Sequence, residues 1–327
     1  MIPTFFGILF VCFLLLRLAN PDPVASSSDI SRAVSQEAID RMRAHYHLDK
    51  PWYEQYGRLV WVVLTLDGEA WQDGRPVSEK VAESLPVTLL LSGLTLIIAY
   101  MIAVPLGVYS AVKQYSWGDR ITMVIVFMLY SLPSFWVGAL LLIFFASGNF
   151  VDCIYTDEPG CFPLQGWHSF DGFEEMSFWG KVGDVAFHLV LPVMALTYNA
   201  FASISRYMRT SMLETIRQDY IRTARAKGLS ERTVIFKHAL RNSLIPVITI
   251  FGLSLPYLVS GAVTIEVIFG IRGMGFLILE ALRMPDYPLV FPLVALLSIM
   301  VMLGILLSDI LYAVVDPRIR YDSGGGK

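Results

Sequence analysis

Histidine and nucleophile motifs are the first places to look for catalytic or metal chemistry in this chain of 327 residues. His45 and His47 form an H-x-H pair that could contact a metal ion, but a pair without a third ligand more often lies on a solvated surface. The sequence contains no P-loop motif, no H-E-x-x-H and no G-x-S-x-G. We therefore expect no metal site and no catalytic residue, and no cofactor bound by this chain itself.

Acidic and cysteine residues offer few further candidates. Glu266 and Asp309 are the ionisable side chains in or near the later apolar segments, but the topology predicted below puts them at opposite helix ends, so they do not form a catalytic pair. Cys153 and Cys161 lie eight residues apart in a segment predicted to be extracytoplasmic. They would form a disulfide in an oxidising compartment, or remain two free thiols.

The composition indicates a membrane protein. Apolar residues make up 55% of the chain and charged residues 16%, and the mean hydropathy is +0.57. These values exclude a soluble enzyme, a disordered chain, a coiled coil and a disulfide scaffold. The net charge of −3 excludes a globally basic nucleic-acid-binding protein. We predict an all-α, polytopic helical membrane protein.

Six apolar segments have the length of about 20 residues that a helix needs to cross a bilayer. Five of them contain or begin with a proline, which buried membrane helices tolerate as a bend. Such bends are common in transporters, channels and receptors. The predicted spans are roughly 1–19, 86–112, 121–148, 185–205, 244–269 and 289–315.

The distribution of Lys and Arg predicts the orientation, because these residues accumulate in cytoplasmic loops. Segment 206–241 holds nine of them, whereas segment 149–184 holds one against seven acidic residues. We therefore predict a membrane protein with both termini in the cytoplasm. The predicted regions are a first transmembrane helix 1–19, an extracytoplasmic segment 20–85, a core 86–315 that includes a cytoplasmic segment 206–243, and a cytoplasmic tail 316–327.

The first span has an alternative interpretation as a cleaved signal peptide. It lacks a basic region before the apolar run and a small-x-small site before Asn20. We therefore favour an uncleaved membrane anchor. Because the apolar run begins abruptly, a start upstream of Met1 stays open.

The cytoplasmic segment carries an amphipathic pattern. An apolar residue recurs every four positions from Met208 to Ala224, which predicts one apolar stripe on a helix. Gly228 can end a helix by adopting the left-handed conformation, and Ser230 can cap the next helix. This predicts a helix, a sharp turn and a second helix outside the membrane. The segment would lie on the lipid surface or dock a cytoplasmic partner.

These residues resemble the permease subunits of bacterial ABC importers, specifically the dipeptide/oligopeptide and nickel branch. The general cytoplasmic signature of that family is EAA, three residues, Gly, nine residues and I-x-L-P, of which only Ala224, Gly228 and Leu240 match here. The branch's own pattern, DY-x-RTARAKG-L…HALRN-x-L-x-P, fits more closely. The residues that match it are Asp219, Tyr220, 222–228 and 238–242.

Three further stretches support the resemblance, and together they extend it over nearly the whole chain. Segment 260–275 is similar to the exit from the branch's fifth span, although Arg272 replaces the usual proline. MPDYPLV at 284–290 contains the branch's D-Y-P, and 308–321 matches its closing D-x-x-Y-x-x-x-D-P-R-x-R.

The resemblance implies a type I ABC importer permease of the bacterial inner membrane that translocates di- or oligopeptides by alternating access. The implied partners are a second, non-identical permease, two cytoplasmic ATPases that bind ATP and Mg²⁺, and an extracytoplasmic peptide-binding protein. The chain itself would be a pore subunit and not an enzyme. The alternatives are a permease for nickel or another small solute, and a membrane enzyme or receptor outside the ABC class.

The resemblance also implies roles for particular residues. Glu266, Arg272 and Asp286 are candidates for the substrate path, although Glu266 could instead pair with Arg272. Arg225 and Lys227 would pair with acidic residues of the ATPase or contact lipid headgroups. The residues implied in ATPase coupling are Asp219, Tyr220, Arg222, Thr223, Ala224, Arg225, Ala226, Lys227, Gly228, Leu229 and Ser230.

Overall fold

Helices form the regular structure of the part of the chain that this computed structural model describes, which is residues 2–19, 40, 43–44, 47–146, 162–283 and 286–315. The described residues contain no strand, apart from one antiparallel bridge between Glu69 and Pro76. The α-helices are α1 (Ile2–Ala19), α2 (Trp52–Thr65), α3 (Val77–Val112), α4 (Trp117–Ser131), α5 (Ser134–Phe145), α6 (Phe178–Ile216), α7 (Asp219–Ala226), α8 (Glu231–Thr233), α9 (Leu240–Ser260), α10 (Val263–Ile268), α11 (Met274–Arg283) and α12 (Tyr287–Val315). A π-helical stretch, Val234–Ala239, joins α8 to α9.

Within the described residues, five helical segments are long and apolar enough to cross a membrane, and a sixth span results if the bent pair α4–α5 is one span. This agrees with the six predicted apolar spans. Several helices extend well beyond the apolar segment, however. Helix α3 has 36 residues and α6 has 39, so their ends project from the apolar layer.

The third predicted span is broken rather than continuous. Helices α4 and α5 meet at an angle of 96° across Leu132 and Pro133. Because proline lacks an N–H and disfavours helix in the preceding residue, the break falls at this pair. The Tyr198 hydroxyl of α6 donates a hydrogen bond of 2.8 Å to the Leu132 carbonyl, which would otherwise lack a partner.

The fifth predicted span, 244–269, lies almost entirely within one candidate membrane span, Glu231–Ile268, which contains a break. Helix α9 stops at Ser260, and Gly261 takes a φ of +70° before the short helix α10 begins. The helix therefore breaks inside this span. Glycine is required at this break, because the buried Glu266 carboxyl group occupies the space that a β-carbon on residue 261 would need.

Close helix contacts at small residues hold the bundle together. A β-carbon on Gly107 of α3 would lie 2.6 Å from the Met208 β-carbon of α6. A β-carbon on Gly252 of α9 would lie 2.6 Å from the Ser308 β-carbon of α12. Glycine at these positions allows the two helix axes to approach closely, as is usual in membrane helices. We call the end of the bundle that carries α7 the basic end, and the other end the distal end.

Candidate functional site

Helix α7, the predicted coupling helix, is anchored to the basic end by two buried side chains. Ile221 is fully buried and Ala224 is 7% exposed. Both belong to an apolar cluster with Met208 and Met212 of α6 and Val234 of the π-helical stretch. The other residues of the segment 219–230 are exposed. Helix α7 therefore packs against the bundle through its apolar side and exposes its polar side.

The predicted single stripe from Met208 to Ala224 is divided between two helices. Helix α6 ends at Ile216, and Gln218 takes an extended conformation before α7 begins. This break shifts the register, so that Ile221 of α7 is buried while Tyr220 is 42% exposed. The prediction of one continuous helix here was wrong, because the four-residue period does not reveal an intervening extended residue.

The turn after α7 matches the predicted geometry. Gly228 has a φ of +75°, which confirms the left-handed conformation expected from its type. The Leu229 N–H donates a hydrogen bond of 3.4 Å to the Ala224 carbonyl, which closes the helix end. The Ser230 hydroxyl oxygen accepts a hydrogen bond from the Thr233 N–H at 3.4 Å, so the predicted cap is also confirmed.

An internal ion pair braces this turn. The Arg225 guanidinium donates to the Glu231 carboxylate through Nη2 at 2.7 Å and Nε at 3.0 Å. A two-point contact of this kind fixes the angle between two groups better than a single one. Arg225 thus joins the two sides of the turn, while the neighbouring Lys227 is exposed and forms no ion pair with the described residues.

Two hydrogen bonds tie this region to α9. The Asn242 side-chain amide donates to the Tyr220 hydroxyl at 2.7 Å, and the Ser211 hydroxyl donates to the Ser243 carbonyl at 2.9 Å. Helices α6, α7 and α9 therefore meet as one packed unit at the basic end.

A cavity of about 640 Å³ lies between α3, the start of α5, α6, α9 and α10. Its polar groups are hydroxyls and one amide, and no residue with a charged side chain is found among the described residues that line it. Tyr257 is 70% exposed, so the cavity opens at the surface of the single chain. The polar lining residues are Ser92, Thr95, Ser134, Asn199, Ser203, Ser254, Tyr257 and Thr264.

Glu266, a predicted substrate-path residue, has internal partners instead. It is fully buried, and its carboxyl group accepts hydrogen bonds from the Phe276 N–H at 2.8 Å, the Ala262 N–H at 3.2 Å and the Thr88 hydroxyl at 3.2 Å. It is absent from the cavity lining. Arg272 is exposed and is not paired with Glu266 in the described structure. Glu266 therefore holds α3, α10 and α11 together in this conformation.

Asp286, the third predicted path residue, is also fully buried. Its carboxyl group accepts hydrogen bonds from the Trp71 N–H at 2.7 Å and the Gln72 N–H at 3.3 Å, and from the Leu289 N–H at 3.2 Å in the first turn of α12. Burial raises the pKa of Asp286 to about 6, although these N–H donors favour its ionised form. Asp286 thus latches the loop before α3 onto α12 at the distal end.

Other sequence expectations meet the structure only in part. Cys153, Cys161 and His45 lie outside the described residues, as does the predicted tail 316–327. No group of three potential metal ligands occurs among the residues that are described.

Sequence reasoning missed one buried ion pair, between Asp119 of α4 and Arg209 of α6. Arg209 was counted with the cytoplasmic loop cations, yet it lies within the bundle. A local signal was available, because Ser116 and Asp119 have the S-x-x-D spacing that marks a helix start. The Asp119 N–H indeed donates to the Ser116 hydroxyl oxygen at 3.2 Å.

Comparison with known proteins identifies the family. Residues 103–321 match the family described as binding-protein-dependent transport system inner membrane component. The chain belongs to this family. It is thus a multi-pass membrane component of a transport system, and the alternative of a membrane enzyme or receptor outside the ABC class finds no support here.

Two curated relatives of this transport component match it over almost its full length. The oligopeptide transport system permease protein AppB of Bacillus subtilis (strain 168) is 38% identical, with 98% of this chain and 96% of that protein covered. The dipeptide transport system permease protein DppB of Escherichia coli (strain K12) is 37% identical with the same coverage.

A solved structure shares the fold. It is a chain from the inward-facing conformations of the MetNI methionine ABC transporter, with a TM-score of 0.53 and 17% identity. The similarity covers 74% of this transport component and 99% of that chain. The all-α permease fold expected from the sequence is therefore confirmed.

Proposed function

We propose that this chain is the permease subunit of an ATP-driven importer that moves di- and oligopeptides across a bacterial inner membrane by alternating access. The observation that carries the proposal is the similarity over 98% of the chain to two permeases named for oligopeptide and dipeptide transport. Both names favour peptides over the alternative, nickel.

The proposed assembly places the chemistry of ATP on other chains. A second permease, which we take to be non-identical, would complete the pore, and two cytoplasmic ATPases would bind ATP and Mg²⁺. An extracytoplasmic binding protein would deliver the peptide. The charge distribution supports this orientation, with the basic end and both termini in the cytoplasm. The segment 20–85 and the distal end would then face the binding protein.

The proposed contact with the ATPase is the exposed face of α7 and its following turn. The buried packing of Ile221 and Ala224 against α6 would transmit movement of this contact to α6. The contact residues would come from the implied coupling set 219–230, in which Gly228 permits the tight turn. Movement of the two halves against each other would expose the cavity to either side of the membrane in turn.

The uncharged cavity is the proposed path for the peptide. Hydroxyl and amide groups can exchange hydrogen bonds with a peptide backbone whatever its side chains are. Of the three predicted path residues, Arg272 is the exposed one, and it would meet a peptide at the distal end.

The test is uptake of labelled di-, tri- and longer peptides, with nickel in parallel, by cells with and without this gene. The key variant is Gly228→Trp at matched membrane level. No atom outside its immediate neighbours lies within 4 Å of a β-carbon on residue 228, so this chain has room for the side chain itself. The φ of +75° also strains tryptophan at this position, so the variant combines backbone strain in the turn with a bulky group at the proposed contact. We expect peptide uptake to fall about tenfold or more, equivalent to ~1.4 kcal/mol.

Gly228→Asn is the matched control, since asparagine tolerates the left-handed conformation and adds a small side chain. It should keep most of the uptake. Loss of nickel uptake with normal peptide uptake would favour the nickel alternative. Normal uptake of both in the deletion strain, without a redundant importer, would refute the proposed function.

A further inference from the structure

The basic end contains a buried ion pair that the coupling segment does not include. Arg209 of α6 donates to both carboxylate oxygens of Asp119, through Nε at 3.0 Å and through Nη2 at 3.0 Å. Asp119 is 2% exposed. Such a two-point contact fixes both the distance and the relative angle of the two groups.

The same carboxylate organises the turn between α3 and α4. It accepts a hydrogen bond from the Tyr115 N–H at 2.9 Å and contacts the Ser110 hydroxyl, which in turn accepts from Arg209 Nε at 3.0 Å. Tyr115 has a φ of +65°, a conformation that non-glycine residues rarely adopt. Asp119 therefore holds a strained turn in register with α6.

A second arginine on α6 extends this connection along α4. The Arg206 guanidinium lies 3.9 Å from the centre of the Tyr130 ring and 5.5 Å from that of Phe127. A cation placed over the face of an aromatic ring is attracted to that ring by a cation–π interaction, which is strongest where the pair is shielded from water. Helix α4 is thus held to α6 at two levels by side chains that start from α6.

Helix α6 leads directly from this connection to the coupling helix. Arg209 lies two turns before Ile216, where α6 ends. Met208 and Met212 of α6 pack against Ile221 of α7. A displacement of α7 acts first on the part of α6 that carries Arg209. Without the connection from Arg209, the start of α4 and the α3–α4 turn would lose their direct link to this part of α6, and the Arg206 contact farther along α4 would remain.

We propose that Asp119 and Arg209 are a positioning pair that makes α4 and the α3–α4 turn move with α6 and α7 when the ATPases close. The inference rests on the proposed function. A buried ion pair adds little net stability compared with well-packed apolar residues in the same place. We therefore assign the Asp119–Arg209 pair the role of fixing the geometry between the two helices. Lysine cannot replace arginine here, since it lacks the planar two-point contact.

The test uses the complete complex reconstituted in liposomes with its binding protein. The measured quantity is the number of peptides transported per ATP hydrolysed, for Asp119→Asn and Arg209→Lys. We expect ATP hydrolysis to stay within about twofold of wild type while the transport ratio falls about tenfold. A purely structural pair would lower both activities in the same proportion, and that result would overturn the proposal, as would an unchanged ratio.

Asp73→Asn is the control for loss of an ion pair elsewhere in the bundle, although Asp73 is more exposed than Asp119. It breaks the ion pair with Lys80 at the distal end, where Lys80 is 7% exposed and the two charged atoms lie 2.8 Å apart. This variant should keep the wild-type ratio, because its ion pair lies far from α7. If the wild-type complex hydrolyses ATP but transports no peptide, the proposed function is refuted. This result would not depend on the Asp119–Arg209 pair, which is intact in the wild type.

A distance measurement covers the case in which the variants do not assemble. Spin labels at Lys113, in the α3–α4 turn, and at Arg217, where α6 meets α7, would be introduced into the wild-type complex with its native cysteines replaced by serine. We expect the same label-to-label distance without nucleotide and with ATP trapped. A distance that changes with ATP would show that these elements move separately, and would refute the positioning role.

Discussion

Glu266 and Asp286 are fully buried carboxyl groups, and each accepts hydrogen bonds both from nearby residues and from a segment far away in the chain. Glu266 accepts from Thr88, and Asp286 accepts from the backbone of residues 71 and 72. A buried acceptor left without such donors costs about 1–3 kcal/mol. Each of these side chains therefore holds distant backbone segments together through hydrogen bonds. Neither its charge nor its position in the sequence reveals this role.

The raised pKa of Asp286 predicts a pH effect on stability. Its folded-state value of about 6 exceeds the usual value of about 3.9. Its stabilising contribution is therefore complete below about pH 4 and is lost as the pH rises through about 6. In Asp286→Asn this group no longer titrates, so the melting temperature of the purified complex should fall less between about pH 4.5 and pH 7 than in wild type.

Glu280→Gln provides the comparison, because Glu280 is exposed near the same end of the molecule. This variant should keep the wild-type slope. If Asp286→Asn shows the same pH dependence as wild type, the assignment of the effect to Asp286 is incorrect.

Residue-level predictions succeeded where the deciding physics is local. Gly228 and Ser230 were correctly assigned to a left-handed turn and a helix cap, because both roles depend on the neighbouring few residues. The partners of Glu266 could not be predicted. Thr88 is 178 residues away, and a single sequence gives no information about such a contact.

At the scale of helices, close approach depends on glycines that face another helix. Gly107 of α3 faces Met208 of α6, whereas a β-carbon on Gly93 of the same helix would meet nothing within 4 Å outside its own helix. The two positions are equivalent in helix propensity but differ in packing. A comparison of alanine substitutions at Gly107 and Gly93 therefore separates the effect of helix–helix contact from the effect of helix propensity.

Gly107→Ala should destabilise the protein by about 1–3 kcal/mol, because the added methyl group overlaps Met208 and forces α3 and α6 apart. Gly93→Ala should be neutral or stabilising by up to about 1 kcal/mol, since alanine favours helix. Thermal unfolding of the purified variants in the same detergent measures the difference. Equal melting temperatures for the two variants would contradict the packing argument.

The helix pattern of the sequence predicted where apolar segments lie, but not where helices break. Pro133 was recognised as a bend, yet its angle depends on α6 and α10, which pack around α5. The extended Gln218 has no residue type that marks it. Period and composition therefore predict the existence of the spans, while tertiary contacts decide their ends.

For the whole molecule, the uncharged cavity predicts how peptides are selected. If this cavity is the peptide path, as proposed above, its lining of hydroxyl, amide and apolar groups favours neither acidic nor basic side chains. Peptides of equal length but different charge should therefore be transported at similar rates once the binding protein has delivered them. Selection by charge would then belong to the binding protein.

Asn199→Asp places a carboxylate on the cavity wall. In competition between labelled tripeptides, it should shift the preference toward basic over acidic peptides by about tenfold, equivalent to ~1.4 kcal/mol. Asn199→Ser changes the size of the side chain without adding charge and should leave this ratio unchanged. An unaltered ratio in Asn199→Asp would show that the peptide does not pass this wall.

The bend between α4 and α5 has a consequence for how the protein is made. When residues 117–145 leave the ribosome, the membrane insertion machinery meets them as one apolar segment. The hydroxyl that satisfies the Leu132 carbonyl belongs to Tyr198, which is synthesised 66 residues later. We therefore expect the newly inserted pair to stay straight, or to keep that carbonyl hydrated, until α6 has entered. The right angle would be a late event in biogenesis, completed by a helix that follows it.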